Sequence, residues 1–156
     1  MKSVLFVCLG NICRSPTAEA VFRARAAARG LEDALHIDSA GTGDWHLGKA
    51  PDRRAQEAAA RRGYDLSPLR ARQVTPEDLR RFDLVLAMDD ENLRDLQQLG
   101  GNRAGAVLYR LMDFHPEAPV TEVPDPYYGT TGGFEHVLDL IETASDHLLD
   151  WMQESS

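Results

Sequence analysis

The chain has 156 residues, with 17 Lys and Arg against 25 Asp and Glu, a net charge of −8, and 43% hydrophobic and 27% charged residues. That length and balance describe one domain, residues 1–156, with enough apolar material for a core of its own. No basic stripe is available for nucleic acid, no apolar run reaches a membrane span, and two cysteines, Cys8 and Cys13, cannot build a disulfide framework.

The first element is Ser-Val-Leu-Phe-Val (3–7), short, β-branched and without alternation, which predicts a strand buried on both faces. Gly10, Asn11 and Arg14 break the apolar run too early for a secretory signal, which places the protein in the cytoplasm. Ser15 is positioned as a cap and Pro16 in the first turn of a helix that carries Ala18, Val21, Phe22 and Ala26 inward and stops at Gly30. A second strand is expected at 35–38. A helix over 51–62 ends at Gly63, and Thr75 caps a short helix that starts at Pro76. Phe82 to Met88 reads as a third strand, followed by a helix from Asp89, and Ala106 to Met112 as a fourth. The last helix spans 133–152. Strands alternating with helices predict an α/β fold with a parallel sheet covered on both faces, and ligands in such folds sit beyond the carboxyl ends of the strands.

The segment Cys8-Leu9-Gly10-Asn11-Ile12-Cys13-Arg14-Ser15 occupies such a place. A tight glycine-bearing loop between strand and helix can turn backbone N–H groups into a nest for an anion, and the helix adds its positive end. Arg14 can contact two oxygens of a phosphate at once, and a cysteine at the base of the nest has its thiolate favoured by the same field. The loop is therefore suited to bind a dianion and aim a nucleophile at it. Zinc at Cys8 and Cys13 would need two further ligands, and neither His36 nor His46 alone completes a set. A Walker loop is excluded by the missing Gly-Lys-Ser/Thr.

The stretch VCLGNICRSPTAEAVF resembles the active-site segment of low-molecular-weight protein tyrosine phosphatases. The likeness continues through DSAGT (38–42), ARQVTPEDL (71–79), DLVLAMDDENLRDL (83–96) and VPDPYYG (123–129). It implies a flavodoxin-like three-layer sandwich with a four-stranded parallel sheet flanked by helices. It also implies hydrolysis of protein phosphotyrosine and small aryl phosphates without metal or cofactor, through a phosphocysteine that releases inorganic phosphate. Cys8 matches the nucleophile, Arg14 the residue on the equatorial oxygens, and Leu9 to Ser15 the phosphate cradle. Asp125 matches the general acid, although Pro-Asp-Pro also reads as a plain rigid turn. Asp89 and Asp90 are the rival carboxylates, taken as helix-starting residues that support the site from behind.

Ser15 matches a hydroxyl bonded to the cysteine sulfur, a role compatible with capping. Trp45 and Tyr127, with Tyr128 beside it, match the aromatic walls of the substrate cleft, and each can equally be a peripheral core residue. Asn11 matches a loop asparagine that many relatives support with a histidine. This chain has Leu69 there, which leaves Ser39, or a water, to provide the support. Cys13 reads either as packing or as a redox partner that traps oxidised Cys8 in a disulfide.

Three other readings share these residues. An arsenate reductase would need two further cysteines. A protein-arginine phosphatase would carry threonine in place of Ile12. A non-catalytic phosphate-binding module would lack the nucleophile or the acid. The remaining histidines, His36, His115, His136 and His147, read as surface or helix-face residues.

Overall fold

The computed structural model describes residues 2–100, 105–127 and 132–154. Four strands, β1 (Ser3–Cys8), β2 (His36–Gly41), β3 (Leu84–Ala87) and β4 (Val107–Arg110), form one sheet in the order β2-β1-β3-β4, with every pairing parallel. The helices are α1 (Arg14–Ala28), α2 (Arg53–Ala60), α3 (Asp78–Arg81), α4 (Asp90–Gly100) and α5 (Gly132–Glu154). Because side chains alternate along a strand, β1 feeds two cores. Val4, Phe6 and Cys8 join α1, α2 and α5, and Leu5 and Val7 join Leu79, Phe82 and Leu96 on the opposite face. The result is the expected α/β three-layer arrangement. Among the described residues no helix is long and apolar enough to cross a membrane.

Both outer strands of the pattern needed correction. β2 runs on past Asp38 to Gly41, so that Ser39 and Ala40 are buried in register with Phe6 and Val7. β4 stops at Arg110, and Leu111–Phe114 tighten into a 3₁₀ turn that buries Leu111 and Met112. A run of seven residues, apolar but for Arg110, does not reveal by periodicity where pairing ends, and here burial beneath α5 takes over from the ladder.

The caps differ as well. Helix α1 begins at Arg14 with Cys13 as its N-cap residue, and no side chain caps it. Ser15 therefore lies inside the first turn, and its hydroxyl is used elsewhere. Helix α3 starts at Asp78, two residues beyond Pro76, with Glu77 rather than Thr75 as its N-cap residue. Thr75 still bonds the first helical residue. Its Oγ1 accepts from Asp78 N at 3.3 Å while the Asp78 carboxylate accepts from Thr75 N at 2.8 Å.

Phe22 is fully buried and meets Phe6 edge-on at 5.4 Å between ring centroids, which joins α1 to the central strand. Phe22→Ala is expected to cost about 3–5 kcal/mol, lost apolar transfer plus the cavity left behind. Urea unfolding of the two proteins measures this, and a loss below about 1 kcal/mol would mean that the neighbours close the space.

Candidate active site

The carboxyl ends of β1 and β3 open into a cleft of about 350 Å³, lined by Cys8, Leu9, Gly10, Ile12, Cys13, Arg14, Trp45, His46, Asp125 and Tyr127. The 8–14 loop that forms its floor is held from outside through its carbonyls. Cys8 O accepts from Thr42 N at 2.9 Å, Leu9 O from Gly43 N at 2.9 Å, and Ile12 O from Asp52 N at 2.7 Å. Cys13 O accepts from Thr17 Oγ1 at 2.6 Å. With these carbonyls tied outward, the loop can present N–H groups to the cleft, which is the geometry of an anion nest.

Asn11 adopts the left-handed conformation expected of it, with φ of 56°, and is buried. Its Nδ2 donates to Ser15 Oγ at 2.7 Å and to Ser39 Oγ at 3.0 Å, and its Oδ1 accepts from Arg72 N at 3.0 Å. Support is thus divided between Ser39 and the Arg72 backbone, and Leu69 packs partly buried against the core instead. Glu19 completes the chain, because its Oε1 accepts from Ser39 Oγ at 2.7 Å.

These contacts fix the direction of the hydroxyl hydrogens. A carboxylate and an Asn Nδ2 leave no choice of role, so Ser39 donates to Glu19 and accepts from Asn11. Ser15 likewise accepts from Asn11, and its own hydrogen is left for Cys8 Sγ at 3.0 Å or Ala40 O at 3.4 Å. The sulfur is the nearer partner. Ser15 is consequently able to donate to Cys8, the role that suits a thiolate.

Arg14 is 3% exposed and does not float in its pocket. Its Nη1 donates to Asp89 Oδ2 at 2.7 Å and to Val123 O at 3.1 Å, and its Nη2 lies 3.6 Å from Asp125 Oδ2. Burial opposes its charge, but the Cys8 sulfur and the Asp89 and Asp125 carboxylates raise its pKa above the ordinary value. Asp89 combines both parts expected of it, since its Oδ1 also accepts from Asn92 N at 2.8 Å at the start of α4. Asp90 instead pairs with Arg110 at 3.0 Å, away from Arg14.

Asp125 reaches the cleft on a segment pinned behind β3, where Val123 N donates to Met88 O at 2.8 Å. Its Oδ1 accepts from Tyr127 N at 3.0 Å, so the carboxyl both makes the turn and faces Arg14. Cys13 is buried under the loop. Burial, and then the charges of Asp52, Cys8 and Asp125, push its thiol well above the usual range, so it stays protonated. Trp45, 66% exposed, and Tyr127 stand on the rim of the cleft. Tyr128 lies outside the described residues.

Two residues were missed. His46 lines the cleft with its ring 6.4 Å from that of Tyr127, and the neighbouring Trp45 between Gly43 and Gly48 was the available signal. The Arg54 guanidinium sits 5.5 Å from the Tyr127 ring centroid and donates to Tyr127 O at 3.0 Å, which binds the acidic segment to α2. Nothing in the sequence pairs positions 54 and 127.

Gly41 is required by close approach, since a Cβ there would lie 2.7 Å from Leu9 O and 3.2 Å from Asn11 N. Gly41→Ala is expected to displace the loop while the sheet still folds. Phosphatase assays on the folded variant should show kcat/KM lower by about tenfold or more, the cost of a small misplacement of the reacting groups. Wild-type turnover would mean that the loop position is not critical.

The family model described as low molecular weight phosphotyrosine protein phosphatase matches residues 3–156. A Bacillus subtilis relative, the low molecular weight protein-tyrosine-phosphatase YfkJ, is 47% identical over 154 residues, covering 99% of this chain and 97% of the relative. Among solved structures, a protein tyrosine phosphatase from Entamoeba histolytica with Hepes in its active site superposes with a TM-score of 0.95 at 37% identity, over 99% of each chain. A Drosophila arginine phosphatase superposes with a TM-score of 0.90 at 30% identity, over 97% of this chain and 98% of the other.

Proposed function

The chain belongs to the low molecular weight phosphotyrosine protein phosphatase family, and from that premise, a protein-tyrosine-phosphatase that acts on phosphotyrosine in proteins, we propose that its chemistry runs through Cys8, Arg14 and Asp125. Residues 1–156 then form one catalytic domain. Its place is the cytoplasm, where a reducing environment keeps Cys8 and Cys13 as thiols.

In the first step Cys8 Sγ attacks phosphorus in line, and the S–P bond forms as the bond to the phenolic oxygen breaks. Asp125 gives its proton to that oxygen, so tyrosine leaves as the neutral phenol. The loop N–H groups from Leu9 to Ser15 and the Arg14 fork hold the equatorial oxygens as charge redistributes. In the second step Asp125, now a carboxylate, takes a proton from water as its oxygen attacks phosphorus. The S–P bond breaks, inorganic phosphate leaves, and the Ser15 hydroxyl receives the restored thiolate. No step calls for a metal. The observation that carries this assignment is the buried Arg14 beside Cys8, with Asp89 behind it and Asp125 at 3.6 Å in front. Charge for the phosphate and a carboxyl for the leaving group thus converge on one sulfur.

The apolar walls of the cleft, Ile12, Trp45 and Tyr127, suit an aromatic ring. Hydrolysis of aryl, alkyl and arginine phosphates in the presence of a chelator should therefore rank the aryl esters first by kcat/KM. A preference for phosphoarginine would assign the protein the activity of the arginine phosphatase instead. Asp125→Asn should lower kcat for phosphotyrosine by about 10²-fold or more and affect p-nitrophenyl phosphate far less, because a good leaving group needs no proton. Equal losses on both substrates would remove Asp125 from the acid role.

Cys13 is assigned a protective role. Peroxide converts the Cys8 thiolate to a sulfenic acid, and condensation with the Cys13 thiol forms a disulfide and releases water. Dithiothreitol should restore wild-type activity after peroxide, and a Cys13→Ser variant, active beforehand, should stay inactive after the same treatment. Equal recovery would leave Cys13 as packing.

A further inference from the structure

By sequence His115 and His147 read as surface or helix-face residues, and they lie 32 positions apart in the chain. The fold brings them together with Glu117. His115 and Glu117 leave the 3₁₀ turn that follows β4, and His147 projects from α5, which packs against that turn. One donor atom from each of the three residues lies within 4.8 Å of the other two. We propose that His115, Glu117 and His147 form a binding site for a divalent transition cation, with zinc the best fit, separate from the phosphatase cleft.

Three observations support this. First, the donor set of two imidazoles and one carboxylate is the kind that zinc takes with water in the fourth position. Second, His147 is already oriented as a ligand. Its Nδ1 lies 2.7 Å from Phe114 O, and a carbonyl can only accept, so Nδ1 carries the hydrogen and Nε2 keeps the lone pair. A backbone carbonyl on the far ring nitrogen is a recurrent way of fixing a metal-binding histidine. Third, His115 Nδ1 is buried and has no hydrogen-bond partner among the described residues, a state that costs free energy whichever nitrogen bears the proton. A cation at that point would satisfy it. Glu117 Oε2 is 3.8 Å from the same nitrogen, near it but too far to hydrogen-bond it.

The distances are compatible with closure. Tetrahedral zinc with bonds of about 2.0–2.2 Å keeps its donors about 3.3 Å apart, so no pair of donors need approach by more than about 1.5 Å. Glu117 is exposed at the tip of a turn and has the rotamer freedom to do so. The two rings stand nearly perpendicular, 88° apart with centroids at 5.9 Å, so their nitrogens can converge on one point without the rings stacking. A bound ion would fasten the turn after β4 to α5 in the place where burial and the His147–Phe114 hydrogen bond now hold it.

The test uses the full chain as a Cys8→Ser/Cys13→Ser variant, so that no thiolate in the cleft competes for metal and the outcome is independent of the phosphatase assignment. After chelator treatment, calorimetric titration with zinc chloride should give one ion per chain at micromolar concentrations, and cobalt(II) should produce the visible absorption of a tetrahedral site. His115→Ala and His147→Ala should each abolish both signals. Glu117→Gln, an exposed change that keeps the test open if either histidine variant fails to fold, should weaken zinc binding by about tenfold or more. No binding at micromolar zinc, or binding unchanged in folded variants of these three residues, would overturn the proposal.

Discussion

The site depends on the side chain of Asn11. A left-handed residue at φ 56° lets the loop turn back on itself between β1 and α1, and its buried amide is bonded to three segments far apart in sequence, at Ser15, Ser39 and Arg72. An unpaired amide in that position would cost more than any of the bonds contributes singly, so the loop has one well-defined arrangement. From that arrangement follow the outward carbonyls, the direction of the Ser15 hydrogen and the place of Cys8 Sγ. Glu19 gives the network its polarity. As an obligate acceptor it orients Ser39, Ser39 orients Asn11, and the last free hydrogen is left for the sulfur.

Charge is arranged against the protein's own field. With a net charge of −8, attraction for a dianion must arise within a few ångströms of where it binds. Arg14 supplies it from a buried position at the start of α1, and the desolvation of its guanidinium is offset by Asp89 and Val123 O. Such a buried pair adds little net stability, and its value here is to fix the fork before substrate arrives. The same residues link α1, the end of β3 and the segment bearing Asp125, so the Asp125 carboxyl is placed by its contact with the Arg14 guanidinium.

The elements were legible wherever one physical signal acted alone. β-branched runs without alternation gave β1 and β3, and Gly30 and Gly63 ended their helices, both at positive φ. Reading failed where two uses competed for one residue. Ser15 is a good cap by type, but Cys8 and Asn11 engage its hydroxyl, and the helix starts at Arg14 without a side-chain cap. Leu111 and Met112 fit a strand by hydropathy, but burial beneath α5 is reached better through a 3₁₀ turn. Arg54 and the meeting of His115 with His147 left no trace in any local pattern, because contact across the fold has no period.

By itself the sequence determined which groups the loop brings together. Cys8, Arg14 and the turn-forming residues between them lie within seven consecutive positions, where spacing alone dictates what can meet. It also determined that the sheet would be parallel and that the loop would sit at its carboxyl edge. Only the tertiary structure decided what surrounds that loop: Asp125 opposite Arg14, Arg72 in place of a histidine at Asn11, His46 on the rim, and His115 beside His147 behind α5. Each of these pairs positions tens of residues apart. Which distant side chains touch is set by how the helices pack on the sheet, a sum of many small contacts that no short stretch of sequence encodes.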